Sequence, residues 1–458
     1  MEIETGRYKI TVEELQEGGP GGYESTYLVS EGDSASQNLY DLMFKLNGQL
    51  LPAQNRSIRQ RNGSTLVDAL AEDKRIAIAS GFKPSGAFHF GHKLTSGAVS
   101  FFQKNGVQVF MPVADIECAM DPRLTTDQYE YWAADNLLDW GANGVNLDAA
   151  HVYLQSEEFR VSSLAYVVAR SLNFGLAVDI YGAKKLVADF PFLFAGLTQV
   201  GDILLPQHQD FGNEHSFMLS GQDQDGHMKM TIALVDGVVN SKINDSLGLT
   251  QPSGFYIPHI RGTNGEKMSS SDPKHTPYLG PGPSSEDLTD RIRSTMEKLD
   301  KATPEGLERC ALDILRYIDF FNARSKVVFN DLSSESVYSE LINNLETAGT
   351  KEDEQKAQYE VDEFLIKHCR DQKQDNVSIV RDSLPEALME HHRRRQAVLN
   401  YAKEKASNRP GGAWDLDYHR SIPPEFWQIP NKAKVDESKR NQTQWFHIIN
   451  RAANHIIP

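Results

Sequence analysis

Three short segments carry side chains that could do chemistry together. In the first, Ser80-Gly81-Phe82-Lys83-Pro84-Ser85-Gly86-Ala87-Phe88-His89-Phe90-Gly91-His92, two histidines flank a glycine where an apolar run gives way to a helical pattern. A helix beginning there turns backbone N–H groups and the positive end of its dipole toward an anion. His89 and His92 can donate hydrogen bonds to phosphate oxygens whose charge grows in a phosphoryl-type transition state. Gly91 lets a flat base or sugar lie against the backbone. The second segment, Gly265-Glu266-Lys267-Met268-Ser269-Ser270-Ser271-Asp272-Pro273, is a glycine-led loop. A lysine on such a loop can close on a pyrophosphate and supply a cation late, as charge develops. In the third, Ser220-Gly221-Gln222-Asp223-Gln224-Asp225, Gly221 permits close approach of a ligand. Asp223 can accept a pair of ribose hydroxyls there, and Gln224 can bind an ammonium or a carbonyl. Two plainer readings stay open for this segment. Asp223, Asp225 and His227 alternate as metal ligands on a strand would, and either aspartate could simply cap a helix.

Histidines near 90 and a lysine at 267 can meet only if the chain between them folds into one scaffold, and the apolar pattern supplies it. Ile76-Ala77-Ile78-Ala79 reads as a buried parallel strand ending at Ser80-Gly81, 93–104 as a helix and 107–114 as a second buried strand. Strand, helix and strand in this span make a βαβ unit. Strand-like runs return at 216–220 and 254–260, after a mostly helical block at about 125–206 that includes predicted helices at 162–176 and 191–205. The expected fold is therefore α/β: a Rossmann-like doubly wound parallel sheet with a helical insertion, plus an α-helical C-terminal domain. The domains are expected at 1–70, an irregular extension of unassigned role with one helix near 39–46; at 71–285, the catalytic sheet; and at 286–458, the helical domain. Helices in that last domain are expected at 285–299, 304–321, 334–346, 352–370 and 385–405.

Composition limits the classes of function. The 458 residues are 40% hydrophobic and 24% charged, which is globular, and the net charge of −16 excludes a uniformly basic nucleic-acid coat protein. The apolar stretches, such as 190–197, fall well short of the ~20 residues of a membrane span. Cys118, Cys310 and Cys369 are scattered and fit a reducing compartment, and the first residues lack a secretory pattern. A cytoplasmic protein without membrane contact is expected. One local basic stretch opens at Glu390-His391-His392-Arg393-Arg394-Arg395, with Trp414, Trp427 and Trp445 beyond it. Basic side chains and aromatics of this kind can hold phosphates and stack unpaired bases, or they can form a solvated helix face with a tryptophan-anchored tail.

His89-Phe90-Gly91-His92 followed by Lys267-Met268-Ser269-Ser270-Ser271 resembles the paired signatures of class I aminoacyl-tRNA synthetases. The Gly81-Phe82-Lys83-Pro84-Ser85-Gly86 run, with Gly221, Asp223 and Gln224, is similar to the tyrosyl/tryptophanyl subgroup in its archaeal/eukaryotic form. The resemblance covers about 75–273, extends into the C-terminal helical region, and is absent from most of 1–70. Two departures are harmless: Ser270 replaces a second lysine, as in other archaeal-type members, and Phe90 is bulkier than the usual aliphatic residue.

The resemblance implies ATP, with Mg²⁺, as the nucleotide, an aminoacyl adenylate as intermediate, and transfer of the aminoacyl group to tRNA. His89, His92 and Lys267 would then be catalytic. Gly81, Gly91, His92, Gly221, Asp223, Lys267, Met268 and Ser269 would hold ATP. Glu117, Gln199, Asp202 and Gln224 would hold the amino acid. Ala79 stands where the tyrosyl branch has a phenol-binding tyrosine, and Glu117 where the tryptophanyl branch has the carboxylate that accepts the indole N–H. That favours tryptophan and tRNA(Trp), with Gln199 on the ammonium. Gln199-Val200-Gly201-Asp202 also matches the tyrosyl pattern and keeps that branch open. The tRNA would meet Arg393, Arg394 and Arg395, and the family implies a homodimer joined near 162–205. A small-molecule nucleotidyltransferase and a non-catalytic paralogue acting as a binding protein are the readings from other classes.

Overall fold

Ile76–Ala79 presents an apolar side chain on both faces of its pleat, so it can persist only where both faces are covered. In the computed structural model it does so inside a six-stranded sheet. The structure describes residues 2–4, 9–11, most of 59–317 and 376–406, with isolated positions between 337 and 364 and at 445–449.

The strands in chain order are β1 (Glu2–Glu4), β2 (Lys9–Thr11), β3 (Arg59–Arg61), β4 (Ile76–Ala79), β5 (Gln108–Val113), β6 (His151–Leu154), β7 (His215–Gly221) and β8 (Ser253–Ile257). β1 and β2 form a separate antiparallel ribbon. The main sheet runs β3-β8-β7-β4-β5-β6, with β3 antiparallel on the edge and the remaining pairs parallel. From β4 the chain winds outward through β5 to β6, then returns on the other side as β7 and β8. The gap between β4 and β7 is thus a topological switch point, where α/β sheets open a crevice beyond their strand ends. Alternation along the strands divides the core. Ile78, Val109, Met111 and Phe217 face the Phe90–Lys104 and Thr126–Ala142 helices. Ala77, Phe110 and Tyr153 face the Phe159–Val168, Pro191–Leu204 and Asp225–Val239 helices.

The doubly wound sheet and the described helices at 288–300 and 304–317 agree with the sequence reading, and four details do not. The block at 125–206 is not wholly helical: the Thr126–Ala142 helix is the crossover from β5 to β6, and the helical excursion starts only after β6. Residues 59–71 belong to the main sheet, because β3 closes its edge and the Gly63–Ala71 helix packs beside it. Arg61 secures that edge by donating to Asp225 Oδ2 at 2.7 Å. The helix expected at 162–176 breaks after Ser171. Asn173 Oδ1 accepts the Leu176 N–H at 3.0 Å and starts a new helix, Phe174–Tyr181. Finally, Pro385 does not begin the last helix but lies inside Asn376–Ala406. Buried Val380 and Leu384 carry the helix past the bond that proline cannot make. The helix expected at 39–46, Cys369, Trp414 and Trp427 lie outside the described residues, as do most of 334–346 and 352–370.

Among the described residues no single helix is long and apolar enough to cross a membrane. The bent pair Phe159–Ser171 and Phe174–Tyr181 is apolar in composition, but Val161, Leu164, Val168 and Ala177 are buried in the core. Cys118 and Cys310 are buried free thiols.

Candidate active site at the sheet switch point

The ends of β4, β5 and β7 open on a cleft of about 670 Å³, lined by His89, Gly91, His92, Glu117, Gln199, Asp202, Gly221, Asp223, Gln224, Lys267, Met268 and Ser269. Gly81 lines it too, yet its lack of a side chain answers a packing need. A Cβ there would stand 1.9 Å from the Pro112 carbonyl oxygen, on the neighbouring strand. The two signature segments also touch. A Cβ on Gly86 would meet Ser270 Cβ at 2.7 Å, and Ser270 Oγ donates to the Ala87 carbonyl at 3.1 Å. Ser270 is therefore a docking contact between the loops.

His89 and His92 stack, with ring centroids 3.8 Å apart at 18°. Backbone N–H groups set the tautomers: Gly91 donates to His89 Nδ1 at 3.1 Å, and His89 donates to His92 Nδ1 at 3.4 Å. Each ring is left with its N–H at Nε2. Burial, then His92 and the Lys267 charge, hold His89 well below the usual imidazole value. Burial and Lys267 lower His92 to about 4. Both are neutral near pH 7 and act as donors without adding charge.

Lys267 Nζ lies 2.9 Å from Asp223 Oδ1, which is also 3.0 Å from His259 Nε2. Burial pushes the Asp223 carboxyl up, but the His259 bond and the Lys267 charge outweigh it and hold it well below the carboxylate range. The stem of the lysine loop is tied down at Arg261, which bonds Asp313 through Nε at 2.8 Å and Nη2 at 2.6 Å. Asp313 lies on the Pro304–Tyr317 helix, so the C-terminal helices brace the loop. Met268 is 1% exposed, and its backbone N–H bonds the Ile260 carbonyl at 2.8 Å.

At the other end of the cleft, Gln199 Nε2 donates to Gln224 Oε1 at 3.0 Å. Asp202 is 2% exposed and accepts from Tyr153 Oη at 2.9 Å and from Gln155 Nε2 at 2.6 Å. Burial pushes its carboxyl up to about 7, against the pull of those two bonds. Glu117 sits 3.3 Å from Lys83 Nζ, which also meets Asp121 at 3.3 Å. The alternating set Asp223, Asp225 and His227 is not gathered. Asp225 is buried on Arg61 and Tyr256, and His227 Nδ1 lies 3.0 Å from Tyr181 Oη.

The sequence reading missed His259, Lys83, Tyr153 and Gln155. The last two follow from the missed strand β6, whose Val152-Tyr153-Leu154 run was the available signal. Of the three arginines assigned to tRNA, Arg395 is corrected. It is 4% exposed and bound to Asp135 and Asp139 of the Thr126–Ala142 helix, so it cannot reach a phosphate. Arg393 and Arg394 are on the surface, with side chains 70% and 43% exposed, and both pair with Glu390. Trp445 is likewise buried, its Nε1–H donated to Asp148 Oδ1 at 2.9 Å, and is not a stacking platform.

Comparison with known proteins agrees with this geometry. A family described as tRNA synthetases class I (W and Y) matches residues 71–384. The chain is 31% identical over 254 residues to the tryptophan--tRNA ligase of Hyperthermus butylicus, covering 54% of this chain and 62% of that protein. It is 29% identical over 259 residues to the corresponding ligase of Methanocaldococcus jannaschii, covering 56% and 66%. The matches thus span about two thirds or less of these relatives. The crystal structure of tyrosyl-tRNA synthetase from Aeropyrum pernix shares the fold, with a TM-score of 0.50 at 17% identity over 83% of this chain and 98% of that one. With both signature loops meeting over the switch point of its sheet, the chain belongs to the class I tRNA synthetases of the W and Y family.

Proposed function

We propose that the protein is a tryptophan--tRNA ligase, activating tryptophan with ATP to tryptophanyl-AMP and pyrophosphate, then charging tRNA(Trp). The observation that carries the choice of amino acid is the far end of the cleft. Ala79 offers a phenol no hydrogen bond, and Asp202, the carboxylate a tyrosyl site would use, is 2% exposed and turned toward Tyr153 and Gln155. Glu117 lines the same cleft, 3.3 Å from Lys83 Nζ. The names of the two curated relatives support the same side chain.

In the first step the tryptophan carboxylate attacks the α-phosphate of ATP and pyrophosphate leaves. No covalent enzyme intermediate is needed, so positioning and charge stabilisation supply the acceleration. His89 and His92 donate neutral N–H groups to the phosphates, and Lys267 brings the mobile positive charge. Gly91 and Met268 frame the adenine, Gly221 and Asp223 take the ribose, and Gln199 with Gln224 takes the ammonium. Mg²⁺ arrives on the ATP phosphates as part of the substrate. Arg393 and Arg394 offer phosphate contacts for the tRNA. The expected setting is the cytoplasm, where tRNA is charged.

Amino-acid-dependent ATP–pyrophosphate exchange, without tRNA, tests this reading. Tryptophan is expected to support exchange and tyrosine to give background. Exchange with tyrosine alone would return the site to the tyrosyl branch, and silence with all twenty amino acids would favour a binding paralogue.

A homodimer belongs to the same proposal. Phe159, Tyr166, Phe174, Val187, Phe190 and Phe194 are each at least half exposed, and all lie on the helical excursion between β6 and β7. Apolar side chains gathered on one segment mark a contact surface. Sedimentation is expected to give twice the chain mass for the wild type and the single mass for a Tyr166→Glu, Phe194→Glu double variant. A wild type that stays monomeric at micromolar concentration would reject the dimer.

A further inference from the structure

We infer that Gln155 selects the substrate side chain, its amide oxygen accepting the hydrogen bond from the ring N–H of the bound amino acid. The inference rests on the tryptophan reading above and names the atom that makes the choice. Gln155 is the first residue after β6, its backbone N–H bonded to the Val113 carbonyl at 3.2 Å, so it stands at the same strand-end level as the rest of the cleft. Its side chain lines the cleft and the residue is 4% exposed.

The orientation of the amide follows from its neighbour. Nε2 donates to Asp202 Oδ2 at 2.6 Å, and Tyr153 holds the other Asp202 oxygen at 2.9 Å. With the –NH₂ group committed to a carboxylate, Oε1 must point away from Asp202. That oxygen is buried and has no protein donor. Buried acceptors are nearly always paired, because an unpaired one forfeits its bonds to water without replacement. In a substrate cleft, the missing donor is best supplied by the substrate.

An indole suits this atom. It has one donor and no acceptor, and a neutral amide oxygen satisfies it without the cost of a buried charge. Glu117 fits the role less well. Its side chain is 37% exposed and lies 3.3 Å from Lys83 Nζ, so water and a cation already compete for it. On this assignment Glu117 closes the rim of the pocket, Gln155 reads the ring, and Asp202 acts as a positioning residue that fixes which end of the amide faces the substrate.

The test uses the full chain and a tryptophan analogue, 3-benzothienyl-L-alanine, in which sulfur replaces the ring N–H at nearly constant shape. In ATP–pyrophosphate exchange the wild type is expected to prefer tryptophan in kcat/KM by about 10²-fold. Gln155→Met keeps the volume and removes the acceptor. It is expected to reduce that preference to less than about fivefold, almost entirely through the loss with tryptophan, with KM for ATP unchanged as the sign of an intact fold. Gln155→Glu should retain the preference, because a protonated carboxyl can donate to Asp202 and keep its carbonyl oxygen as acceptor. Glu117→Met, which removes any acceptor at that position, should retain it as well. A wild type that uses the analogue as well as tryptophan would overturn the assignment whatever the variants do. So would a full preference in Gln155→Met, or its collapse in Glu117→Met alone. Exchange with tyrosine in place of tryptophan is a separate result that would overturn the functional reading itself.

Discussion

Lys267→Ala is expected to lower kcat for tryptophan-dependent ATP–pyrophosphate exchange by about 10²–10³-fold, the size of effect seen when one preorganised transition-state contact is removed. In the structure the ammonium rests on Asp223 Oδ1 at 2.9 Å, and both side chains are 45% exposed. An ion pair this open to water holds its partners weakly, by roughly 0–1 kcal/mol. Phosphate oxygens carrying the growing charge of departing pyrophosphate compete easily for the same cation. Lys267 is therefore parked, not locked. On the proposed mechanism Lys267 would move to the phosphates, and Asp223, still 3.0 Å from His259, would become available to the ribose. Because the contact is made late, kcat and kcat/KM should fall together, with KM for tryptophan changed by less than about twofold. The fold should be untouched, since the pair that is lost is at the surface. A variant with normal kcat and only a raised KM for ATP would place Lys267 on the ground-state nucleotide and reject the late-cation role. Lys267→Arg should recover only part of the loss, because the planar fork cannot replace a compact charge on a flexible stem.

Most of this site was legible in the sequence for a simple physical reason. A parallel strand buried on both faces must be an apolar run, and the turn after it must contain small residues where loops crowd together. Ile76–Ala79 and Gly81 show both features, so the position of His89 and His92 could be read directly. What could not be read was set by partners distant in sequence. β3 has the polar sequence Arg59-Gln60-Arg61, and it reaches the sheet edge because Arg61 pairs with Asp225, 164 residues away. β6 was hidden for a local reason: its short Val152-Tyr153-Leu154 run follows His151, which is buried against Glu158, itself paired with Arg160, so the strand reads as polar at both ends. Arg395 looked the same as Arg393 and Arg394. Only its place in the buried stripe Leu384, Leu388, His391, Arg395, Val398 and Ala402, at spacings of three and four, sets it apart. That stripe places Arg395 in the core and leaves Arg393 and Arg394 on the surface.

That buried arginine gives the largest expected change in stability. Arg395→Ala should destabilise the protein by about 3–5 kcal/mol, whereas Arg393→Ala, two residues away, should stay within about 0.5 kcal/mol. Arg395 contacts Asp135 through Nη2 and lies 3.2 Å from Asp139 Oδ1, which His391 Nε2 also meets at 2.9 Å. Both aspartates are fully buried on the Thr126–Ala142 helix, and both Arg395 and His391 come from the Asn376–Ala406 helix. Removing the guanidinium takes the positive charge away from two buried carboxylates in a low-dielectric seam, with His391 still on Asp139. Denaturant unfolding followed by circular dichroism would measure the difference. Equal midpoints for the two arginine variants would mean that Arg395 is solvated and the helix packing is wrong. Replacing Asp135, Asp139 and Arg395 together by leucine should recover much of the loss, because the cost lies in stranded charge and not in missing volume. The seam also touches the chemistry. Phe88 stacks on His391 with ring centroids at 6.2 Å and lies against His92 at 5.4 Å, so loosening the helix removes the wall behind a signature histidine. Arg395→Ala should accordingly slow exchange even in buffer without denaturant. Arg393→Ala should leave exchange alone and instead reduce the salt dependence of tRNA binding by about one unit of slope. The two variants thus separate an arginine that joins two parts of the fold from one available to nucleic acid.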